Sequence, residues 1–530
     1  MKFSHMLALS AASILPWGNA AAHPAGPIVQ VEGGAIEGAS EGGVDSFKGV
    51  PFAAPPIGEL RWRAPQPVRD WGGVRPATHN GNDCAQAPMP GESAPLGAAL
   101  SEDCLYLNIW RPKGTTGNAR LPVMVWIHGG GFVNGGASPT VYYGAQFARQ
   151  AVIMVGINYR LGRFGFFAHP ALTAENKDQG QLGNYGLMDE IAALKWVRRN
   201  IAAFGGDPAK VTIFGESAGG MSVNYLLASQ QARGLFKGAI IQSGGGRSNL
   251  SGTRLRSADQ PGQPSLERLG LNFAKANGIE GVDANALSQL RALPADKVVN
   301  GLNMWTMDAQ ADQYGGPIID GIIVPESPDA AFVAGRQAKV PIIVGATEDD
   351  LGWIGATTKA DVFAMFGSHD AAARKAFDPT GKADDQQVLN LVGQTRMMIE
   401  PARFVAKTIG NQGMPVFAYR FSYVARSMRA KWTRGAPHAT DVPYALGTVV
   451  EKYGAAADST DRAVGRTMNS YWVNFAKTGD PNGEGLPVWP RENGKGTGLM
   501  GFNRDGMIQF GPDPREDQLN LVEQAQAKLK

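Results

Sequence analysis

One stretch constrains the fold of this 530-residue chain more than any other: Lys210-Val-Thr-Ile-Phe214, then Gly215-Glu216-Ser217-Ala218-Gly219, then Met221 to Ala228. A short apolar run, a turn with glycine at both ends and a second apolar stretch read as strand, turn and helix. A serine on so sharp a turn projects its hydroxyl above the sheet edge, as a nucleophile elbow does. The helix start behind it offers N–H groups and a positive dipole end where an oxyanion would develop. G-x-S-x-G recurs by chance in glycine-rich chains, and this one holds 69 glycines. The strand before it and the helix after it give the match its weight.

The same alternation runs through the chain. Pro122 to Ile127 is a buried-strand run that stops at His128-Gly129-Gly130-Gly131, and Ala151 to Asn158, Gly238 to Gln242 and Val340 to Val344 read alike. Between them, apolar residues at Leu187, Ile191, Leu194, Val197 and Ile201 keep helical spacing. Asp189 and Glu190 fall in the first turn of that helix and Arg198 and Arg199 in its last, which suits the dipole. Gly33 to Val50 reads as short strands with glycine turns, a β-rich N-terminal edge. Together these imply an α/β chain with a mostly parallel central sheet and helices on both faces. The polar stretch 247–300 fits no strand pattern and is read as a helical or loop cap insertion. No repeat or linker divides the rest, so 23–530 reads as a single domain, although length alone suggests about three.

Met1-Lys2, an apolar run from Met6 to Trp17 and Gly18-Asn19-Ala20-Ala21-Ala22 make a signal peptide over 1–22. Cleavage is expected after Ala22, with Ala20 as the alternative, leaving a periplasmic or secreted protein. The run is shorter than the roughly 20 residues a membrane span needs, so no anchor is expected. In an exported chain, two cysteines at short separation, Cys84 and Cys104, read as one disulfide. Closing that loop stabilises by roughly 3 kcal/mol through chain entropy. C-x-x-C and H-E-x-x-H spacings are absent, so no metal or other cofactor is implied. With 50 Lys+Arg against 47 Asp+Glu the net charge is +3, which argues against a nucleic-acid partner. Oligomeric state is not encoded in any readable pattern.

The chemistry gathers around Ser217. The glycines after His128 let backbone N–H groups converge on one point, and with the N–H of Ala218 they make a three-donor oxyanion hole. His128 itself reads as ordering this loop. A hydroxyl nucleophile needs a base and an orienting acid, in the chain order Ser, acid, His. After Ser217 only His369 and His438 remain. His369 sits in a polar helical region and reads as a surface histidine. His438 lies in a Gly/Pro loop, 435–443, after a strand-like run from Val416 to Val424. Three carboxylates, Glu348, Asp349 and Asp350, end an earlier strand, and pattern alone does not choose among them.

These pieces resemble the type-B carboxylesterase family, which includes cholinesterases and para-nitrobenzyl esterases. The blocks that carry the resemblance are Phe47 to Pro56 with Leu60-Arg-Trp62, Ser101 to Ile109, Phe204 to Pro208 leading to Gly215–Gly219, and Asn474 to Pro481. They span nearly the whole mature chain. The resemblance implies an α/β-hydrolase fold and a small-molecule ester substrate cleaved through an acyl-enzyme without a cofactor. It makes Ser217 the nucleophile, His438 the base and Gly130, Gly131 and Ala218 the oxyanion donors, and it pairs Cys84 with Cys104. It registers the acid at Asp350, where the family usually has Glu. The shorter Asp must then approach His438 more closely, or Glu348 serves instead. Ser243, in Gln242-Ser-Gly244, resembles a family serine that supports the triad, and Glu216 beside the nucleophile is grouped with it.

The rival class is a non-catalytic cholinesterase-like binding module, which typically loses the serine or histidine kept here. Amidase and lipase activities are closer rivals, and 247–300 is too polar to suggest an interfacial lid. Met304, Trp305, Trp353, Phe363 and Phe366 are candidates for an acyl pocket, with core packing as the plainer alternative. Arg426, Arg429, Lys431 and Arg434 are candidates for contact with an acidic substrate, with a solvated face as the plainer alternative.

Overall fold

The computed structural model describes residues 26–526, apart from 92–93, 249–252, 493, 495 and 497. The expected signal peptide lies outside the described residues. The frame is an 11-stranded sheet. In chain order its strands are β1 (Ala39–Glu41), β2 (Val44–Pro51), β3 (Tyr106–Pro112), β4 (Leu121–Ile127), β5 (Ile153–Ile157), β6 (Gly206–Glu216), β7 (Gly238–Gln242), β8 (Ile342–Thr347), β9 (Val416–Phe421), β10 (Gly498–Phe502) and β11 (Ile508–Pro512). Across the sheet they run β11-β10-β9-β8-β7-β6-β4-β5-β3-β2-β1. Every pairing from β10 to β5 in that order is parallel, and the pairings beyond are antiparallel. This is the α/β-hydrolase architecture, with the β-rich N-terminal edge at one side.

The apolar runs are continuous because both faces of the sheet are covered. Along β4, Val123, Val125 and Ile127 enter one core cluster while Met124 and Trp126 enter another. The same alternation holds in β5, where Ile153, Val155 and Ile157 oppose Met154, and in β8, where Ile342 and Val344 oppose Ile343. Helices α1 (Tyr185–Asn200) and α2 (Ala218–Ala228) pack Leu194, Val197, Val223 and Leu226 on the first face. Helix α3 (Ser459–Thr478) packs Met468, Trp472 and Phe475 on the second.

The described residues of 247–300 fold as short helices, Leu266–Ala276, Ala284–Ala292 and Ala295–Val299, whose Phe273, Leu287 and Leu290 join the first core cluster. Cys84 and Cys104 form a disulfide with Cα atoms 4.9 Å apart. Among the described residues no helix is long and apolar enough to cross a membrane.

Candidate active site

The elbow is built by crowding. Gly215 and Gly219 pack so closely on the end of β4 that a Cβ on Gly219 would lie 2.0 Å from the Ile127 carbonyl oxygen, and one on Gly215 would lie 2.5 Å from Gly219 backbone. Ser217, between them, is held at φ 56° and ψ −123°, a conformation costly for a residue with a Cβ. Its N–H donates to the Gln242 carbonyl at 3.0 Å and its carbonyl accepts from Met221 at 2.8 Å, so the turn is tied to β7 and to α2.

A cavity of about 620 Å³ opens above this turn, lined by Ser217, Glu216, Gly129, Gly130, His438 and Asp350 among others. In the loop after β4, Gly130 and Gly131 have φ 104° and 64°, and among the described residues their N–H groups make no hydrogen bond. The N–H of Ala218 belongs to the first turn of α2, where no intrahelical acceptor exists. His128 is buried, stacked on Tyr159 at 4.4 Å, with Nδ1 2.8 Å from the Gly129 carbonyl. Burial pulls its pKa down to about 4, so it is a neutral brace of the loop.

His438 and Asp350 arrive from separate loops. Nδ1 of His438 lies 2.5 Å from Asp350 Oδ1. The other Asp350 oxygen accepts from Ser243 Oγ at 2.6 Å and from the Thr347 N–H at 3.0 Å, while Leu351 N–H donates to Oδ1 at 2.8 Å. Burial opposes ionisation of Asp350, but His438 and these donors outweigh it and hold the carboxyl below its usual pKa. Glu348 makes no hydrogen bond or ion pair with His438. Its backbone N–H is tied to Phe421 and its carboxyl lies beside Gly435. Asp349 faces Arg434, with Oδ2 3.1 Å from the guanidinium.

Among the described residues Nε2 of His438 makes no hydrogen bond, but it forms an ion-pair contact with Glu216 Oε1, 3.1 Å away. Burial pushes Glu216 up to about 8, with Asp441 and Asp350 adding to the rise. Burial works to lower His438, yet Glu216, Asp350 and Asp441 together raise it to about 9. Asp441 is the member of this cluster that carries no role in the sequence reading. It is fully buried and accepts from Gln242 Nε2 at 2.9 Å and from Tyr419 OH at 2.8 Å. Its only sequence signal is its place three residues after His438.

Of the acyl-pocket candidates, Met304 and Trp305 line the cavity. Phe363 and Phe366 do not: they pack with Phe377 and Leu521 in a separate core cluster, Phe363 from the helix Lys359–Ala364 and Phe366 from just past its end. Trp353 is 62 % exposed and lies off the cavity. Of the basic candidates, Lys431 and Arg434 line the cavity. Arg426 instead pairs with Asp458, and Arg429 donates to the carbonyls of Val424 and Arg504. His369 is exposed.

The profile of the carboxylesterase family matches this chain over residues 25–378 and 371–521. The chain is 36% identical to the para-nitrobenzyl esterase of Bacillus subtilis (strain 168) over 478 residues, covering 87% of this chain and 92% of that protein. It is 34% identical to the fumonisin B1 esterase of Sphingopyxis macrogoltabida over 484 residues, covering 88% and 84%. Among solved structures a PNB esterase superposes with a TM-score of 0.76 at 30% identity, covering 93% of this chain and 99% of that one.

Proposed function

This chain belongs to the carboxylesterase family and is a carboxylic ester hydrolase, and from that premise we propose that Ser217, His438 and Asp350 are its catalytic triad. His438 Nε2 takes the Ser217 proton as Oγ attacks the ester carbonyl. The tetrahedral oxyanion is held by the N–H groups of Gly130, Gly131 and Ala218, and His438 returns the proton to the leaving alcohol. Water then cleaves the acyl-enzyme by the same route. Asp350 fixes the imidazole with its Nδ1 proton inward, and Ser243 fixes Asp350. Residues 247–300 serve as the cap, and the chain just after them supplies Met304 and Trp305 to the cavity wall.

The observation that supports this reading best is the buried Asp350–His438 contact of 2.5 Å at the cavity that holds Ser217. Nε2 of His438, 3.1 Å from Glu216 Oε1, accepts the serine proton once the Glu216–His438 pair has shed its own. Nucleophile and base hydrogen bonds are often loose without substrate. The assay is hydrolysis of a p-nitrophenyl ester by Ser217→Ala and His438→Ala. A fall of about 10⁴-fold or more in kcat is expected for each. Unchanged hydrolysis by folded Ser217→Ala overturns the assignment.

A further inference from the structure

The loop that carries the proposed oxyanion donors is conformationally expensive. Gly130, Gly131, Phe132 and Gly135 all have positive φ, at 104°, 64°, 63° and 106°. A non-glycine residue such as Phe132 holds that conformation only where its surroundings over-determine it. Within the loop, the N–H groups of Val133 and Asn134 both turn back onto the Gly130 carbonyl, at 3.1 and 2.9 Å. These two bonds close the turn but do not set its position over Ser217.

That position is held from two sides: the Gly162 N–H donates to the Phe132 carbonyl at 2.7 Å, and the disulfide segment grips the far end of the loop. Gln86, two residues after Cys84, is buried and pairs with both sides of one residue of the loop. Its Nε2 donates to the Gly135 carbonyl at 2.7 Å, and its Oε1 accepts from the Gly135 N–H at 2.8 Å. The same Nε2 donates to the Cys84 carbonyl at 2.9 Å, so the amide is itself oriented by the disulfide strand. Asn134, fully buried, donates to the Ala87 carbonyl at 2.8 Å and accepts from the Met304 N–H at 3.1 Å. Only a primary amide offers a donor and an acceptor side by side in this geometry. Gly135 cannot shift toward the core to compensate, because a Cβ there would already lie 2.4 Å from His128 Nδ1.

We infer that Gln86 is a positioning residue for catalysis: its side-chain amide, anchored by the Cys84–Cys104 disulfide, clamps the Gly135 peptide and so sets where the Gly130 and Gly131 N–H groups point. The inference rests on the reading of those two groups as oxyanion donors. It gives the disulfide a task beyond chain entropy, since the covalent link holds the strand from which the clamp projects. A displaced donor costs in the transition state and little in the ground state, because the oxyanion forms only there.

The experiment compares wild type with Gln86→Met, which keeps length and bulk and loses both hydrogen bonds, and with Gln86→Glu, which keeps the acceptor for the Gly135 N–H. Three quantities are read: kcat and KM on a p-nitrophenyl ester, the inhibition constant of an aryl trifluoromethyl ketone that adds to serine as a tetrahedral adduct, and melting temperature. Gln86→Met is expected to lose about tenfold or more in kcat with KM within about twofold. Ketone affinity falls by the same factor as kcat/KM, and Gln86→Glu lies between. A purely structural role lowers the melting temperature and leaves folded protein with wild-type kcat, and that result overturns the clamp. So does a rise in KM at constant kcat. Should Gln86→Met fail to fold, the kcat and ketone affinity of Gln86→Glu decide by the same criteria. Wild type that fails to bind the ketone overturns the oxyanion reading itself; wild type that binds it, with unaltered variants, overturns only the clamp.

Discussion

The turn after β4, residues 128–135, and the turn after β6, residues 215–219, leave neighbouring parallel strands and converge on one cavity. Both are glycine-bearing and both hold a non-glycine residue at positive φ, Phe132 in one and Ser217 in the other. The elbow is braced by the sheet and helix it joins: its glycines press on the Ile127 carbonyl of β4, the Ser217 N–H is tied to the Gln242 carbonyl of β7, and α2 begins at the residue after the serine. The other turn is braced from loops, by Gln86, by the Gly162 N–H, which donates to the Phe132 carbonyl at 2.7 Å, and by the Met304 backbone. A turn seated on neighbouring strands needs only the regular frame of the sheet, whereas one braced by loop groups depends on irregular segments elsewhere in the chain.

Alanine at one glycine of each turn breaks this contrast or makes it quantitative. At Gly219 the new Cβ meets the carbonyl oxygens of Ile127 and His128 at 2.0 and 2.9 Å, and backbone cannot yield. Gly219→Ala is expected to cost about 3 kcal/mol of stability, with activity falling by about 10²-fold or more. At Gly131 the nearest atom is Met304 Cγ at 3.1 Å, part of a flexible side chain rather than backbone, and the main cost is the strained φ of 64°. Gly131→Ala is expected to lose about 1 kcal/mol and about tenfold in kcat. Thermal unfolding with steady-state kinetics separates the two. Equal losses at both sites would abolish the distinction between the sheet-braced and the loop-braced turn.

The same contrast explains what was readable from the amino-acid sequence. The parallel sheet was legible because apolar runs such as 122–127 and 238–242 carry their own signal, and the structure moved their ends by only a few residues, the strand at 210–214 gaining Gly206 to Ala209. Ser217 and the HGGG turn were legible because each is contiguous. Between Glu348 and Asp350 the residues could not decide, since the choice depends on which carboxylate reaches a loop some 88 positions away. Phe363 and Phe366 took the plainer alternative, core packing, because apolar spacing reports burial and not which surface does the burying. Gln86 carried no local signal at all, because its amide is meaningful only opposite Gly135. Asp441 was hidden likewise, its partners lying on β7 and β9.

Glu216 joins the two turns: it belongs to the elbow, and its carboxyl lies where a Cβ on Gly129 would be 3.0 Å from Oε2. Its proximity helps hold His438 up at about 9, which keeps the imidazole protonated and the serine without a base. The sign follows directly. Activity as kcat/KM rises with pH as the Glu216–His438 pair sheds its proton, so wild type has its acid limb on the alkaline side of an ordinary histidine. Glu216→Gln removes the carboxylate that favours imidazolium, and the limb moves to lower pH by about one unit. The measurement is the pH profile of kcat/KM on a neutral ester. A limb that stays in place, or moves up, shows that Glu216 does not tune the base and ties it to the elbow's packing alone.

The smallest expected effect concerns the outer walls of the cavity. The wall next to the turn after β4 carries Met304 and Trp305, whereas the chain leading to His438 brings Lys431 and Arg434. Arg434 is partly neutralised by Asp349, and Lys431 is exposed, so the surplus positive charge is modest and screened. An ester whose acyl chain ends in a carboxylate gains from it through encounter and weak binding, not through the transition state. The comparison is kcat/KM for the p-nitrophenyl monoester of a dicarboxylic acid against that for a neutral ester of similar length. Lys431→Glu is expected to lower the acid-to-neutral ratio by about threefold, an effect that shrinks as ionic strength rises toward roughly 0.15 M. A ratio unmoved by charge reversal and by salt discards these cations as a selector and leaves substrate choice to the apolar wall, where Met304→Ala then becomes the variant that alters acyl-chain preference.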